Sequence, residues 1–226
     1  MIPKLEFKFD EEKDLYNIWD ACNSKSCWGH DFKKNIPKNI LKICKGKKFR
    51  ACKAELNKKV KTTYKNHLIK EIVEYVNKLW KIREKEYFER LKKIMGEDFY
   101  CKKIDVYFTT ASRCPYNYNK KHPYFYVSLF NGIPGILSTA GHELMHLQFH
   151  NSKYWNMVEK EVGYNKTCDL KEALTVLLNL EFKDLWMAKD QGYPNHQRLR
   201  EFIEKEWKKE KDFDKLIIKY IKYMKK

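Results

Sequence analysis

The chain has 226 residues, 43% hydrophobic and 34% charged, enough apolar side chain for one large domain or two small ones and too much for wholesale disorder. The formal net charge is +17, carried almost wholly by lysine, since the only arginines are Arg50, Arg83, Arg90, Arg113, Arg198 and Arg200. These charges are dispersed and form no compact block, which reads as a solvated surface. A nucleic-acid or acidic-surface partner is the alternative.

The opening MIPKLEFKFDEEKD has no apolar h-region and no small-residue cleavage site. No run of about eighteen apolar residues occurs, so the expectation is a cytoplasmic protein. Residues 10–52 read as short helices, among them Pro37 to Lys45, closed by Gly46. The seven cysteines read as free thiols of a reducing compartment. Cys22, Cys27 and His30, with Cys44 and Cys52 further on, lack the tight two-residue knuckle of a usual zinc site.

From Ala54 to Met95 apolar residues recur at three- and four-residue steps, which predicts helix up to Gly96. The stretch is long for one globular helix, so a break is expected inside it. Lys103 to Thr110 and Tyr124 to Phe130 are rich in β-branched and aromatic residues and read as strands. Asn131-Gly132 breaks the chain and Pro134 suits the first turn of a helix. A further helix is expected from Asp169 to about Ala188, then a loop at 191–195 and two short helices near 196–208 and 213–223. Helices, then strands, then helices predict an α+β fold rather than alternating βαβ units.

The helix at Pro134 carries STAGHELMHLQFH. His142 and His146 are four residues apart, so both imidazoles leave one helix face and can take two corners of a zinc tetrahedron. Glu143 cannot point at the metal from beside its first ligand, but it can reach a water on the metal's open corner, where a hydrolase needs a general base. Gly141 allows another backbone to approach closely.

His142-Glu143-x-x-His146 on a helix preceded by antiparallel strands resembles the zincin metallopeptidases. The residues leave the third ligand open among His150, Glu159, Glu161, Glu172, Glu181 and His196. The long metzincin signature fails, because Phe149 and Ser152 stand where it needs glycine and histidine. His150, a turn beyond His146, overshoots the ion. Lys171-EALTVLLNLEF-Phe182 resembles the second zinc-binding helix of the gluzincin, thermolysin-like branch, and with HELMHLQFH it is most similar to the small minigluzincin-type proteins. The similarity covers roughly residues 104–200.

That resemblance implies a zincin-like fold, mostly helical, with a small antiparallel or mixed sheet beside the HExxH helix. It implies Zn2+ held by His142, His146 and Glu172, with Glu181 as the rival ligand on the opposite helix face. Asp169-x-x-Glu172 also fits a capping box, in which Glu172 folds back onto the helix start. Thermolysin-like enzymes often support a zinc histidine with an aspartate four residues after the ligand glutamate. Val176 stands there, leaving Thr175, Asn179 or a backbone carbonyl.

In the thermolysin-like branch a His or Tyr donor usually faces the oxyanion of peptide hydrolysis; the resemblance implies His196 first and Tyr193 second, with Tyr116, Tyr118, Tyr124 and Tyr126 as further candidates. An extended peptide substrate is expected to pair with an edge strand, either Tyr124–Phe130 or the segment at 104–110. The expected function is a zinc-dependent metallopeptidase acting through a metal-bound water, with Glu143 as general base. The alternative is a basic nucleic-acid-associated protein, including a DNA-tethered protease, with a structural or vestigial zinc site. The expected division is residues 1–100, a helical region serving as pro-segment or lid with Cys22 or Cys27 on the zinc, and residues 101–226, the metallopeptidase domain.

Overall fold

The computed structural model describes residues 2–25 and 31–225. Lys4–Phe9 forms β1, Glu11–Asn23 α1, Lys38–Cys44 α2, Phe49–Tyr64 α3 and His67–Met95 α4. Lys103–Thr109, Tyr116–Asn117 and Tyr124–Ser128 form β2, β3 and β4. Gly132–Asn151 is α5, Lys153–Val162 α6, Tyr164–Leu174 α7, Val176–Glu181 α8, Gln197–Lys209 α9 and Phe213–Met224 α10. The chain is thus mostly helical with one four-stranded mixed sheet, as an α+β reading requires. No helix among the described residues is long and apolar enough to cross a membrane.

The break expected between Ala54 and Met95 falls at Lys65-Asn66. Asn66 is extended and its side chain accepts from Leu68 N, starting α4 as an N-cap. Gly96 closes α4 with a left-handed φ of 71°, its N–H on the Lys92 carbonyl.

The sheet runs in the order β1-β2-β4-β3. Two expectations are corrected here. First, β2 and β4 pair in parallel, and the antiparallel pair is the short β3 against β4. Second, neither β2 nor β4 is an outer strand. β2 lies between β1 and β4, and β3 covers β4 with Tyr116 opposite Phe125 and Asn117 opposite Tyr124. The sequence reading assigned no strand to residues 4–9, yet Leu5 and Phe7 alternate there with Lys4, Glu6 and Lys8. Leu5 and Phe7 bury while the charged residues stay at least partly exposed.

Alternation along β2 gives the sheet two buried faces. Ile104, Val106 and Phe108 join Trp80, Tyr87 and Leu91 of α4 and the apolar residues of α5 in the main core. Thr109, on the other face, meets α1: Asn17 donates to its hydroxyl, which donates at 2.6 Å to the buried Asp14 carboxylate. Asp14 also accepts from the Thr110 amide and hydroxyl and from the Tyr64 hydroxyl. The main core draws on both sides of residue 100, from Leu5 to Tyr220, and a smaller core collects α1, α2, α3 and Ala111.

Candidate metal centre

α5 is apolar on nearly every side. Ile136, Leu137, Ala140, Leu144, Met145, Leu147 and Phe149 are all buried, so the helix is threaded through the core and not laid on it. Its few polar side chains therefore have fixed surroundings. His142, Glu143 and His146 line a cleft of about 670 Å³.

His142 and His146 leave the same face, ring centroids 4.2 Å apart. Glu172 arrives from α7 with Oε2 at 3.1 Å from His146 Nε2 and 3.7 Å from His142 Nε2. One donor atom from each of the three lies within 4.8 Å of the others, and among the described residues no other His, Cys, Asp and Glu group does this. A zinc tetrahedron with bonds of about 2.05 Å has edges of about 3.3 Å. The observed separations bracket that edge, and two imidazole nitrogens with one carboxylate oxygen are a set that zinc accepts, so these residues have the donor atoms to hold such a metal ion.

Glu181 lies elsewhere: Trp207 Nε1 donates to it at 2.8 Å and Lys211 pairs with it at 2.7 Å. The capping-box alternative fails as well, because α7 starts at Tyr164, leaving Asp169 and Glu172 inside it. The expected helix from Asp169 to Ala188 is two helices that meet at Thr175.

The support of His142 is a residue the sequence reading missed. Its Nδ1 sits 2.6 Å from Asp190 Oδ2, in the loop after α8. Among the described residues neither Thr175 nor Asn179 hydrogen-bonds a histidine; both brace Asp190. Thr175 Oγ1 lies 3.0 Å from Asp190 Oδ1, and the Asn179 amide bonds the Asp190 backbone in both directions at 2.8 Å. The buried Arg200 adds a 2.9 Å ion pair to Asp190 Oδ1 and a bond to its carbonyl. Gly192 admits Arg200, since a Cβ there would stand 2.6 Å from the guanidinium. A signal was present: with Val176 in the expected place, Asp190 is the one acid between Leu185 and Arg200.

Gly141 serves a ring rather than a backbone. A Cβ there would lie 2.4 Å from Trp186 Cη2. The indole stacks on Phe182 and packs against Tyr87, whose hydroxyl donates to the Gly141 carbonyl at 2.7 Å. This contact sits at the start of the loop that delivers Asp190.

The electrostatics differ between the two histidines. Burial lowers both. At His142 Asp190 and Glu172 overcome it and raise the imidazole to about 10. At His146 burial wins, aided by the nearby Lys171 and His142, and holds it at about 3. Burial pushes Glu143 up to about 7, with Glu172 adding and His142 opposing. Glu143 Oε2 is buried with no hydrogen-bond partner among the described residues. Glu172 stays well below the usual carboxylate range despite its burial, because His146, His142 and Lys171 surround it.

Tyr193 lines the cleft beside these groups. His196 does not; it is buried and faces Asp169 Oδ1 at 3.0 Å. Tyr116 and Tyr118 also line the cleft, whereas Tyr124 and Tyr126 pack with Tyr107. His150 makes a 2.7 Å contact with the Tyr116 hydroxyl and stacks on Tyr118, and takes no part in the triad. Cys22 is buried in the smaller core with Cys44 and Cys52, away from the cleft, and Cys27 and His30 lie outside the described residues. Cys114 does line the cleft, but burial pushes its thiol up to about 12, against thiolate formation.

No family model, curated protein or solved structure matches this chain.

Proposed function

We propose that this chain is a zinc-dependent metallopeptidase that hydrolyses peptide bonds with Glu143 as general base. One observation carries the reading: His142 Nε2, His146 Nε2 and Glu172 Oε2 converge on the wall of a cleft that also holds the Glu143 carboxylate, whose Oε2 has no hydrogen-bond partner among the described residues. Zinc, when bound by these three residues, supplies a Lewis acid that lowers the pKa of water toward about 7.

The chain's own residues then divide the work. Glu143 takes the proton of the attacking water and passes it to the leaving amide nitrogen. Among the described residues no protein donor occupies its Oε2, which leaves that oxygen open to the proton. Asp190 keeps the Nδ1 hydrogen on His142, so Nε2 is the nitrogen left for the metal. Tyr193, on the cleft wall, offers a phenol to the developing oxyanion, and His196 behind it is a structural partner of Asp169.

Zinc stoichiometry and cleavage of a peptide library test this together. Wild type and Glu181→Ala are expected to hold one zinc, and Glu172→Ala and His146→Ala to lose it. Glu143→Gln keeps zinc while its cleavage rate falls by about 10²–10⁴-fold. A Glu143→Gln protein cleaving at the wild-type rate, or a Glu172→Ala protein that retains zinc, overturns the assignment.

A further inference from the structure

We infer that Lys171 is a positioning residue for the metal centre: it occupies one oxygen of Glu172 and so makes Glu172 a one-oxygen ligand. The inference rests on the zinc reading above.

Lysine is seldom fully buried unless it is paired, yet Lys171 is 4% exposed. Its ammonium lies 2.6 Å from Glu172 Oε1, whereas Oε2 is the oxygen that faces both histidines. The two carboxylate oxygens thus have separate partners.

The ammonium is also fixed from behind. It donates at 2.8 Å to the Tyr116 hydroxyl on β3, which meets His150 Nε2 of α5 at 2.7 Å. The His150 ring is itself clamped, stacked on Tyr118 at 4.2 Å and packed on Trp155 at 3.9 Å. Lys171 therefore links the helix that carries Glu172 to the helix that carries the histidines, one turn beyond His146. Turning Oε1 toward a metal would break a buried ion pair and strand a buried cation, which is strongly unfavourable.

The consequence is a site with three protein donor atoms and an open corner. A two-oxygen carboxylate would fill that corner or expand the coordination shell. An ammonium on Oε1 also draws charge from the ligand, so the metal keeps more of its Lewis acidity.

Cobalt(II) in place of zinc reports coordination number through its visible absorption, which is stronger for four-coordinate than for five-coordinate sites. Wild type and Lys171→Arg are expected to give the strong band. Lys171→Met is expected to give a weakened band and to bind cobalt more tightly, because the released Oε1 adds a donor atom and a neighbouring cation is gone. A Lys171→Met protein with wild-type band and affinity overturns the inference. X-ray absorption on the zinc-loaded wild type asks the same question without a variant: one-oxygen carboxylate coordination supports the inference and two-oxygen coordination refutes it. A wild type that takes up neither metal is a different result, since it removes the zinc reading itself and this inference with it.

Discussion

His142 reaches Asp190 through Nδ1 at 2.6 Å, and Asp190 is held in turn by Arg200, Thr175 and Asn179. A carboxylate behind an imidazole fixes the tautomer and the ring angle of a metal ligand and raises its basicity. Asp190→Asn keeps the shape and removes the charge. Its zinc affinity is expected to fall about 10- to 100-fold, read by competition with a chromophoric chelator. Unchanged affinity would show that His142 needs no such support.

The same pair predicts a proton count. With His142 raised to about 10, the metal-free imidazole carries a proton on each nitrogen at pH 8 to 9. Metal can replace only the proton on Nε2, so His142 should contribute about one proton to the release on uptake, beyond what water gives up at the metal. Calorimetry in buffers of different ionisation enthalpy measures it. In Asp190→Asn the release should shrink, and its absence from the wild type would contradict the charged state of His142.

Acid stability follows from Asp190 as well. Burial works to raise this carboxyl, but His142 and Arg200 prevail and hold it at about 2, below its ordinary 3.8. A carboxylate depressed by folding contributes stability that is complete above the unfolded value and is lost as pH falls through the folded one. In chelator-treated protein this amounts to about 2 kcal/mol, disappearing between about pH 4 and pH 2. Urea unfolding of wild type and Asp190→Asn should converge over that window; a constant gap would refute the linkage.

Gly141→Ala tests the close approach of Trp186. The indole cannot yield easily, because Phe182 stacks on it and Tyr87 packs against it. Overpacking of this kind costs about 1–3 kcal/mol, and the displaced loop should weaken zinc binding along with stability. Denaturant titration with tryptophan fluorescence follows the first, chelator competition the second. A variant with wild-type stability would mean that the indole has room to move.

Asp14→Ala probes the attachment of α1 to the sheet, at a carboxylate that does not line the cleft. The carboxylate accepts from Thr109, Thr110 and Tyr64, and its loss leaves buried donors unpaired. The expected destabilisation is about 3 kcal/mol by urea unfolding, with zinc stoichiometry unchanged. Loss of zinc in a folded variant would show that α1 and the site are coupled.

Some elements could be read from residues near one another in the chain. The Asn66 cap, the Gly96 stop and the apolar periodicity of α4 are set within a few residues, and so is the placement of His142 and His146 on one face. β1 was not read from the sequence, although its residues alternate, because a six-residue strand carries little weight without its partner. The parallel pairing of β2 with β4 was not legible, because strand direction depends on how the intervening loop crosses the sheet.

Helical pitch, a local property of the backbone, is enough to set His142 and His146 on one face with Glu143 beside them. The residues alone leave the third position open among two histidines and four glutamates, and only the family resemblance favours Glu172. Tertiary packing chose Glu172 over Glu181, brought Asp190 behind His142 and drew Lys171 onto the second oxygen of Glu172. The first two join separate segments across the core, and the third, between neighbours in α7, is held in place by Tyr116 of β3; the interaction energies that select them exist only once the intervening chain has folded.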